Sequence, residues 1–331
     1  GTGSATGGGI SSSATRDRQV ALALTADDDP IVVWDNNDTG LDSIYVLAFN
    51  GASWNELGVN SASGFGIHAT ANWKNDPSVA VDIDGHPVVA WSEHAWSSEY
   101  NIYVLRFDGA SWVELGADSA SGEGISTNSG AAQVPSVAVD SRGRVVVVWI
   151  DDAYGSGPVF VRRFDGTSWG DVGAESSSGE GISGSLGGGV TAIAIDANDH
   201  PVVAWAPGEV YVRRFDGTSW RELGGSASGD GISLSGGAAG CPSLALDDAG
   251  NPVVAWGDYR EGQMDVYVKR YLNDRWVELG LGSATNGGIS NSGGHSSCPS
   301  LAARVNTACV AWTEAAPSSP GWRSPGTPVA S

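Results

Sequence analysis

The sequence predicts an all-β fold: a six-bladed β-propeller of four-stranded antiparallel blades, the sixth lacking its usual outer hairpin. Three observations predict it. The string Pro77-Ser78-Val79-Ala80-Val81-Asp82 returns as Pro135–Asp140, Thr191–Asp196 and Pro242–Asp247, with weaker copies at Gln19–Thr25 and Pro299–Arg304. An apolar run ending in tryptophan follows each copy, at Trp34, Trp91, Trp149, Trp205, Trp256 and Trp312, spaced 57, 58, 56, 51 and 56 residues apart. A period of this size marks a repeat architecture. Within one period, four short β-rich runs separated by turn residues precede a long Gly/Ser return, which is the plan of a propeller blade.

Residues 77–124 show the elements in order. Val79-Ala80-Val81 is a first strand. Asp82-Ile83-Asp84-Gly85-His86 is a turn, because Asp bonds its own following backbone and Gly accepts positive φ. Pro87–Trp91 is a second strand, apolar throughout and so buried on both faces. Asn101–Phe107 alternates and is a third; Asp108-Gly109-Ala110-Ser111 is a hairpin turn; Trp112–Leu115 is the fourth. Small residues hold the centre of the first strand (Ala80, Ala138, Ala194, Ala245), where blades converge, and aromatics such as Tyr103, Phe107 and Trp112 hold the outer strands.

Six inner hairpins are present, but only five outer ones, ending at Gly58, Gly116, Gly173, Gly224 and Gly280. The repeats run over about 1–58, 59–116, 117–173, 174–224, 225–280 and 281–331, in one propeller domain of residues 1–331. Past Trp312 the prolines 317, 320, 325 and 328 argue against a regular strand. The expectation is that this tail covers the unfinished blade irregularly, with Trp322 in the place of an outer tryptophan. A monomer follows; a homodimer through the open blade is the alternative.

The net charge of -21, with Lys74 and Lys269 as the only lysines, repels nucleic acid and anionic lipid. No apolar run approaches the 18 or so residues that cross a membrane, so no membrane insertion is expected, and no signal peptide is visible in this chain. Cys309 lies in an apolar run and reads as a core residue. Cys241 and Cys298 each precede the Pro-Ser that opens a repeat; spacing leaves a disulfide open, with two free thiols the expectation.

The repeat, with Gly-Ile-Ser as in Gly124-Ile125-Ser126, Pro242-Ser243-Leu244-Ala245, Pro252–Trp256 and Phe215-Asp216-Gly217-Thr218-Ser219-Trp220, resembles bacterial β-propeller repeat proteins over about residues 1–312. The hairpin at Phe215–Trp220 is also similar to the Asp-box of sialidases, although Arg214-Phe215 stands where that box expects Ser-x before its Asp. The resemblance implies a propeller, with the box as a fold element and not a catalytic one.

The chemistry is sparse. The Asp-x-x-Gly turns lack the converging oxygens of a calcium loop, no histidine pair has zinc-helix spacing, and no nucleophile elbow or phosphate-cradling loop precedes a helix. No catalytic residue, metal or cofactor is expected. A sialidase-like enzyme would need an arginine cluster and a Tyr/Glu pair at the axis. Arg106, Arg163, Arg214 and Arg270 instead recur at one strand position, as fold residues do, while Arg162, Arg213 and Lys269 stand opposite Asp171, Glu222 and Glu278 and read as cross-strand ion pairs. His86 and His200 occupy one turn position and read as surface residues.

What breaks the period carries the functional signal. Trp73, Trp96, Tyr100, Tyr154 and Tyr259 fall in the loops between second and third strands or between blades, beside His94, Asp151, Asp152 and Arg260. Both loop types leave one face of a blade, where aromatics stack on sugars or grip a peptide. The reading is a non-enzymatic, lectin-like binding or display module for a glycan or protein ligand, extracellular or on a bacterial surface. The alternatives are a sialidase- or glycoside-hydrolase-like enzyme and a purely structural repeat scaffold.

Overall fold

The computed structural model describes residues 9–11, 18–37, 40, 42–94, 99–126, 130–151, 157–260, 262–291, 294–304 and 307–315. Blade one comprises β1 (Val20–Leu24), β2 (Pro30–Asn36), β3 (Ser43–Phe49) and β4 (Trp54–Glu56). Blade two comprises β5 (Trp73–Val81), β6 (Pro87–His94), β7 (Asn101–Phe107) and β8 (Trp112–Glu114). Blade three comprises β9 (Gln133–Val139), β10 (Val145–Ile150), β11 (Val159–Phe164) and β12 (Trp169–Asp171). Blade four comprises β13 (Val190–Ile195), β14 (Pro201–Ala206), β15 (Tyr211–Phe215) and β16 (Trp220–Glu222). Blade five comprises β17 (Ala239–Leu246), β18 (Pro252–Arg260), β19 (Gln263–Leu272) and β20 (Arg275–Glu278). The last sheet has two strands, β21 (His295–Arg304) and β22 (Thr307–Ala315).

Each of the first five sheets is an antiparallel meander in chain order. Two compact units contain them: blades one to three lie in the first, and blade four to β22 in the second. In the first unit β1 packs beside β5 and β5 beside β9; in the second, β13 beside β17 and β17 beside β21. First strands are thus the lateral contacts, which is why they hold alanine. Second strands are the core: Trp91, Trp149, Trp205 and Trp256 have no exposed surface.

Proline in the first strand produces a bulge. The ladder slips between Asn75 and Ser78, Gly240 and Ser243, and Ser297 and Ser300, and opposite β9 between Val148 and Ile150. The residue before each proline is left-handed: Asp76, Val134, Cys241 and Cys298 have φ of 55°, 53°, 49° and 46°. Thr191 replaces the proline in blade four, and the ladder there runs unbroken from Val190 to Ile195. The serine after the proline ties neighbouring first strands: Ser78 Oγ accepts from Val137 N at 3.1 Å and Ser243 Oγ from Leu301 N at 3.0 Å.

The Gly/Ser return is ordered, not loose. In every four-stranded blade one buried serine joins it to the third strand; Ser119 Oγ donates to Val104 O at 3.0 Å and accepts from Leu115 N at 2.8 Å. Ser61, Ser176, Ser226 and Ser283 do the same. The glycine of Gly-Ile-Ser then lies so near the third strand that a Cβ on Gly231 would stand 2.2 Å from Val210 O.

Four expectations are corrected. The register Arg162↔Asp171, Arg213↔Glu222 and Lys269↔Glu278 is as read, but the cations reach past those acids to the carbonyls of Ile125, Ile182 and Ile232 at 2.7, 2.6 and 2.7 Å. A buried carbonyl at the end of the return needs a donor more than a surface acid needs a partner. His86 and His200 are half-buried, edge-on to Phe107 and Phe215. Cys241 and Cys298 form a disulfide, because the bulge brings equivalent positions of β17 and β21 to a Cα separation of 4.9 Å. Cys309 is exposed, on the outward side of β22.

Candidate functional site

Trp73 opens β5 and His94 closes β6, and the register pairs them. Their rings stack at 5.2 Å, and Tyr100 lies 4.1 Å beyond His94, so three aromatics from three chain segments make one half-buried row. Tyr100 is held by its backbone, whose carbonyl accepts from Ala132 N at 2.9 Å. Below the row lies Glu93, 2% exposed. It accepts from Trp91 Nε1, Thr70 Oγ1 and Asn72 Nδ2 and meets His68 Nδ1 at 3.1 Å. Burial raises its pKa, but His68, Lys74 and Thr70 outweigh that and hold it at about 2. Glu93 thereby anchors the inter-blade loop that delivers Trp73.

The second unit carries a pocket of about 470 Å3, lined by Arg260, Gln263, Asp265, Tyr267, Asn286 and Asn291, with Thr285 and Gly287. Arg260 lies 4.5 Å above the Tyr267 ring, pairs with Asp258 at 2.7 Å and donates to Ser233 O. Asp258 in turn accepts from Trp256 Nε1 at 3.3 Å. Burial raises the Asp258 pKa against the opposing pull of Arg260. Tyr259, 49% exposed, stacks on His295 at 6.2 Å and 8°. Asp265 is buried and accepts from Ser290 Oγ at 2.8 Å.

Of the residues expected from sequence, Trp73, His94 and Tyr100 come together in the first unit, and Tyr259 and Arg260 in the second. Asp151 is fully buried at the end of β10, so its carboxylate is not presented to a ligand. Trp96, Asp152, Tyr154 and Trp322 lie outside the described residues.

No known protein family matches the chain, and no curated protein matches it by sequence. Solved structures do. A Trypanosoma rangeli sialidase in complex with 2,3-difluorosialic acid superposes with a TM-score of 0.54 at 14% identity, over 90% of this chain and 52% of that one. A Hadza microbial sialidase gives 0.51 at 13%, over 90% and 63%. A protein of unknown function from Dyadobacter fermentans gives 0.51 at 12%, over 92% of both chains. The fold is that of the sialidase-type β-propellers. The chain spans about half the length of the Trypanosoma sialidase it matches.

In this propeller the recurrent arginines are engaged by the fold. Arg106 binds Asp82 at 2.7 Å and Asp84 at 3.2 Å, and Arg214 and Arg270 lie 3.7 Å from Asp196 and Asp247. Asp82, Asp84 and His86 bring potential metal ligands within 4.8 Å of one another, but the Arg106 guanidinium already pairs with both carboxylates. The Asp-box-like hairpins are closed by their own Asp: Asp108, Asp165 and Asp216 each accept two backbone N–H groups.

Sequence reasoning missed Gln263, Asp265, Asn291 and His295, which are ordinary polar residues until the chain folds them around Arg260. It named Asp151 but missed Glu93 and Asp258, which share with it an acidic position two residues after the inner tryptophan, visible as Trp-x-acid in three repeats. One residue after Trp34, Asp35 is fully buried with neither oxygen hydrogen-bonded. Burial, reinforced by Asp42, pushes its pKa up to about 7 against Arg18.

Proposed function

We propose that the chain is a non-enzymatic carbohydrate-binding module, one propeller domain that grips its ligand at the strand ends where second strands leave and first strands enter. The observation that carries this reading is the polar pocket under Arg260. The planar amides of Gln263, Asn286 and Asn291, the Asp265 carboxylate and the Arg260 guanidinium at close range suit the hydroxyls of a sugar ring. The row Trp73–His94–Tyr100 offers a stacking surface. The Cys241–Cys298 disulfide supports an extracellular setting, since such bonds persist in oxidising compartments. Among the described residues no helix is long and apolar enough to cross a membrane.

A sialidase-like enzyme is the second reading, favoured by the fold shared with two sialidases. A glycan array on the intact chain, run beside a screen of chromogenic glycosides, separates the two. Binding predicts saturable capture without product, weakened at least about tenfold by Arg260→Ala, the loss of one charged hydrogen-bonding group. Release of sugar that Arg260→Ala abolishes would establish the enzyme instead, and capture unchanged by that variant would end the assignment of the pocket.

A further inference from the structure

In blades two, three and five the fourth-strand tryptophan fastens the blade to the one before it. Trp112 Nε1 donates to Leu57 O, Trp169 to Leu115 O and Trp276 to Leu223 O, each at 2.8 Å. The glycine after that leucine is covered by the same incoming hairpin. A Cβ on Gly58 would meet Phe107 at 3.3 Å, on Gly116 Phe164 at 3.1 Å, and on Gly224 the Asp274 carbonyl at 2.8 Å.

Leu279-Gly280 is the same place on blade five, and a Cβ on Gly280 would meet no described residue within 4 Å. Among the described residues no third strand pairs with β22. An apolar groove of about 510 Å3 opens there, lined by Leu279, Leu281, Ile289, Val310 and Trp312. Leu281 is wholly exposed, and Trp312 is only half-buried where Trp91, Trp149, Trp205 and Trp256 are fully buried. The groove is the imprint of an aromatic segment that the other blades possess.

We propose that residues 316–331 of the same chain dock in this groove, with the Trp322 indole over Gly280 and its N–H directed to the Leu279 carbonyl. β22 ends at Ala315, and Trp322 follows seven residues later (322 − 315). Seven residues reach up to roughly 23–25 Å, whereas Trp312, three residues before Ala315, stands only about 10 Å back along the strand. So short a tether holds the indole at an effective concentration on the order of millimolar. Charge agrees: in a chain of net -21, residues 316–331 contain no acid and one arginine, Arg323. Pro317, Pro320, Pro325 and Pro328 argue against a regular added strand, so docking would rest on side chains rather than on a backbone ladder. A second copy would instead need a strand able to pair with β22.

Trypsin cleavage after Arg323 reads the docking in the intact chain. Docking predicts slow cleavage in the wild type and at least about tenfold faster cleavage in both Trp322→Ala and Leu281→Asp, all three sedimenting as monomers. Leu281 is fully exposed, so its replacement spoils the groove without disturbing the core. Equal cleavage of the wild type and either variant would overturn the proposal. So would a wild-type dimer that Leu281→Asp dissociates, since the occupant would then be a second copy.

Discussion

Asp35 lies at the end of β2 with no exposed surface and no hydrogen-bond partner for either oxygen, so ionising it is unfavourable. Its pKa of about 7 in the folded chain stands above the ordinary 3.8, because of burial and then Asp42. Between those values the folded state holds a proton that the unfolded state has released, so stability falls as pH rises from about 4 to 7 and is level above. Asp35→Asn should therefore match the wild type near pH 4 and exceed it by about 2–4 kcal/mol at pH 8, read from urea melts at both pH values. An unchanged difference across that range would mean the carboxylate finds a partner in solution. Glu93 has the opposite sign. Held at about 2 against an ordinary 4.5, it contributes stability that is complete above its unfolded value and lost as pH falls through the folded one. Glu93→Gln should cost about 3 kcal/mol at pH 7, largely because the buried Lys74 loses its counter-charge.

At the scale of the element, the Gly/Ser return decides how a blade is finished. The side-chain-free approach of Gly231 to Val210 O leaves no room for a methyl group, whereas among the described residues Gly280 has open space. Gly231→Ala should cost about 3 kcal/mol or more, and Gly280→Ala, with the tail free to adjust, about 0.5 kcal/mol or less, by denaturant melts. Equal costs would mean the return does not close on the third strand as it does here. Strands and hairpin turns were legible in the sequence because each rests on local chemistry: β-branched runs, Asp-Gly turns, a period. The return was not, since its order comes from serines such as Ser119 meeting a strand 15 residues away. The bulges were hidden for a related reason. Proline announces a break in the first strand, but not that Cys241 turns left-handed and so faces Cys298. Trp73, His94 and Tyr100 stood out because they break the repeat. Gln263, Asp265 and Asn291 look like any loop residues, and only folding sets them around Arg260.

The whole molecule is held by repetition of a few ties rather than by one large core. Trp91, Trp149 and Trp256 fill the space between adjacent sheets of one unit, and Trp205 is packed against Tyr211 with no exposed surface. Trp205→Ala should cost about 3–5 kcal/mol; a loss below about 1 kcal/mol would place that side chain outside the core. Among the described residues no outer tryptophan ties β21 and β22 to blade five. Their lateral link to blade five is instead covalent, through Cys241 and Cys298, with the Ser243–Leu301 hydrogen bond beside it. Those cysteines are 57 residues apart in sequence. Closing a loop of that size removes chain entropy from the unfolded state worth about 4 kcal/mol at most, and 2–4 kcal/mol in usual practice. Reduction with dithiothreitol should therefore lower the stability of the second unit by that amount, with β21 and β22 losing hydrogen-exchange protection first and blades four and five keeping theirs. Cys309 is exposed and outside the bond, so it should react with a maleimide before reduction, one label per chain, rising to three after it. Three labels on the unreduced chain, or exchange in β21 and β22 that reduction leaves unchanged, would show that apolar packing and the serine tie hold these strands to blade five without the disulfide.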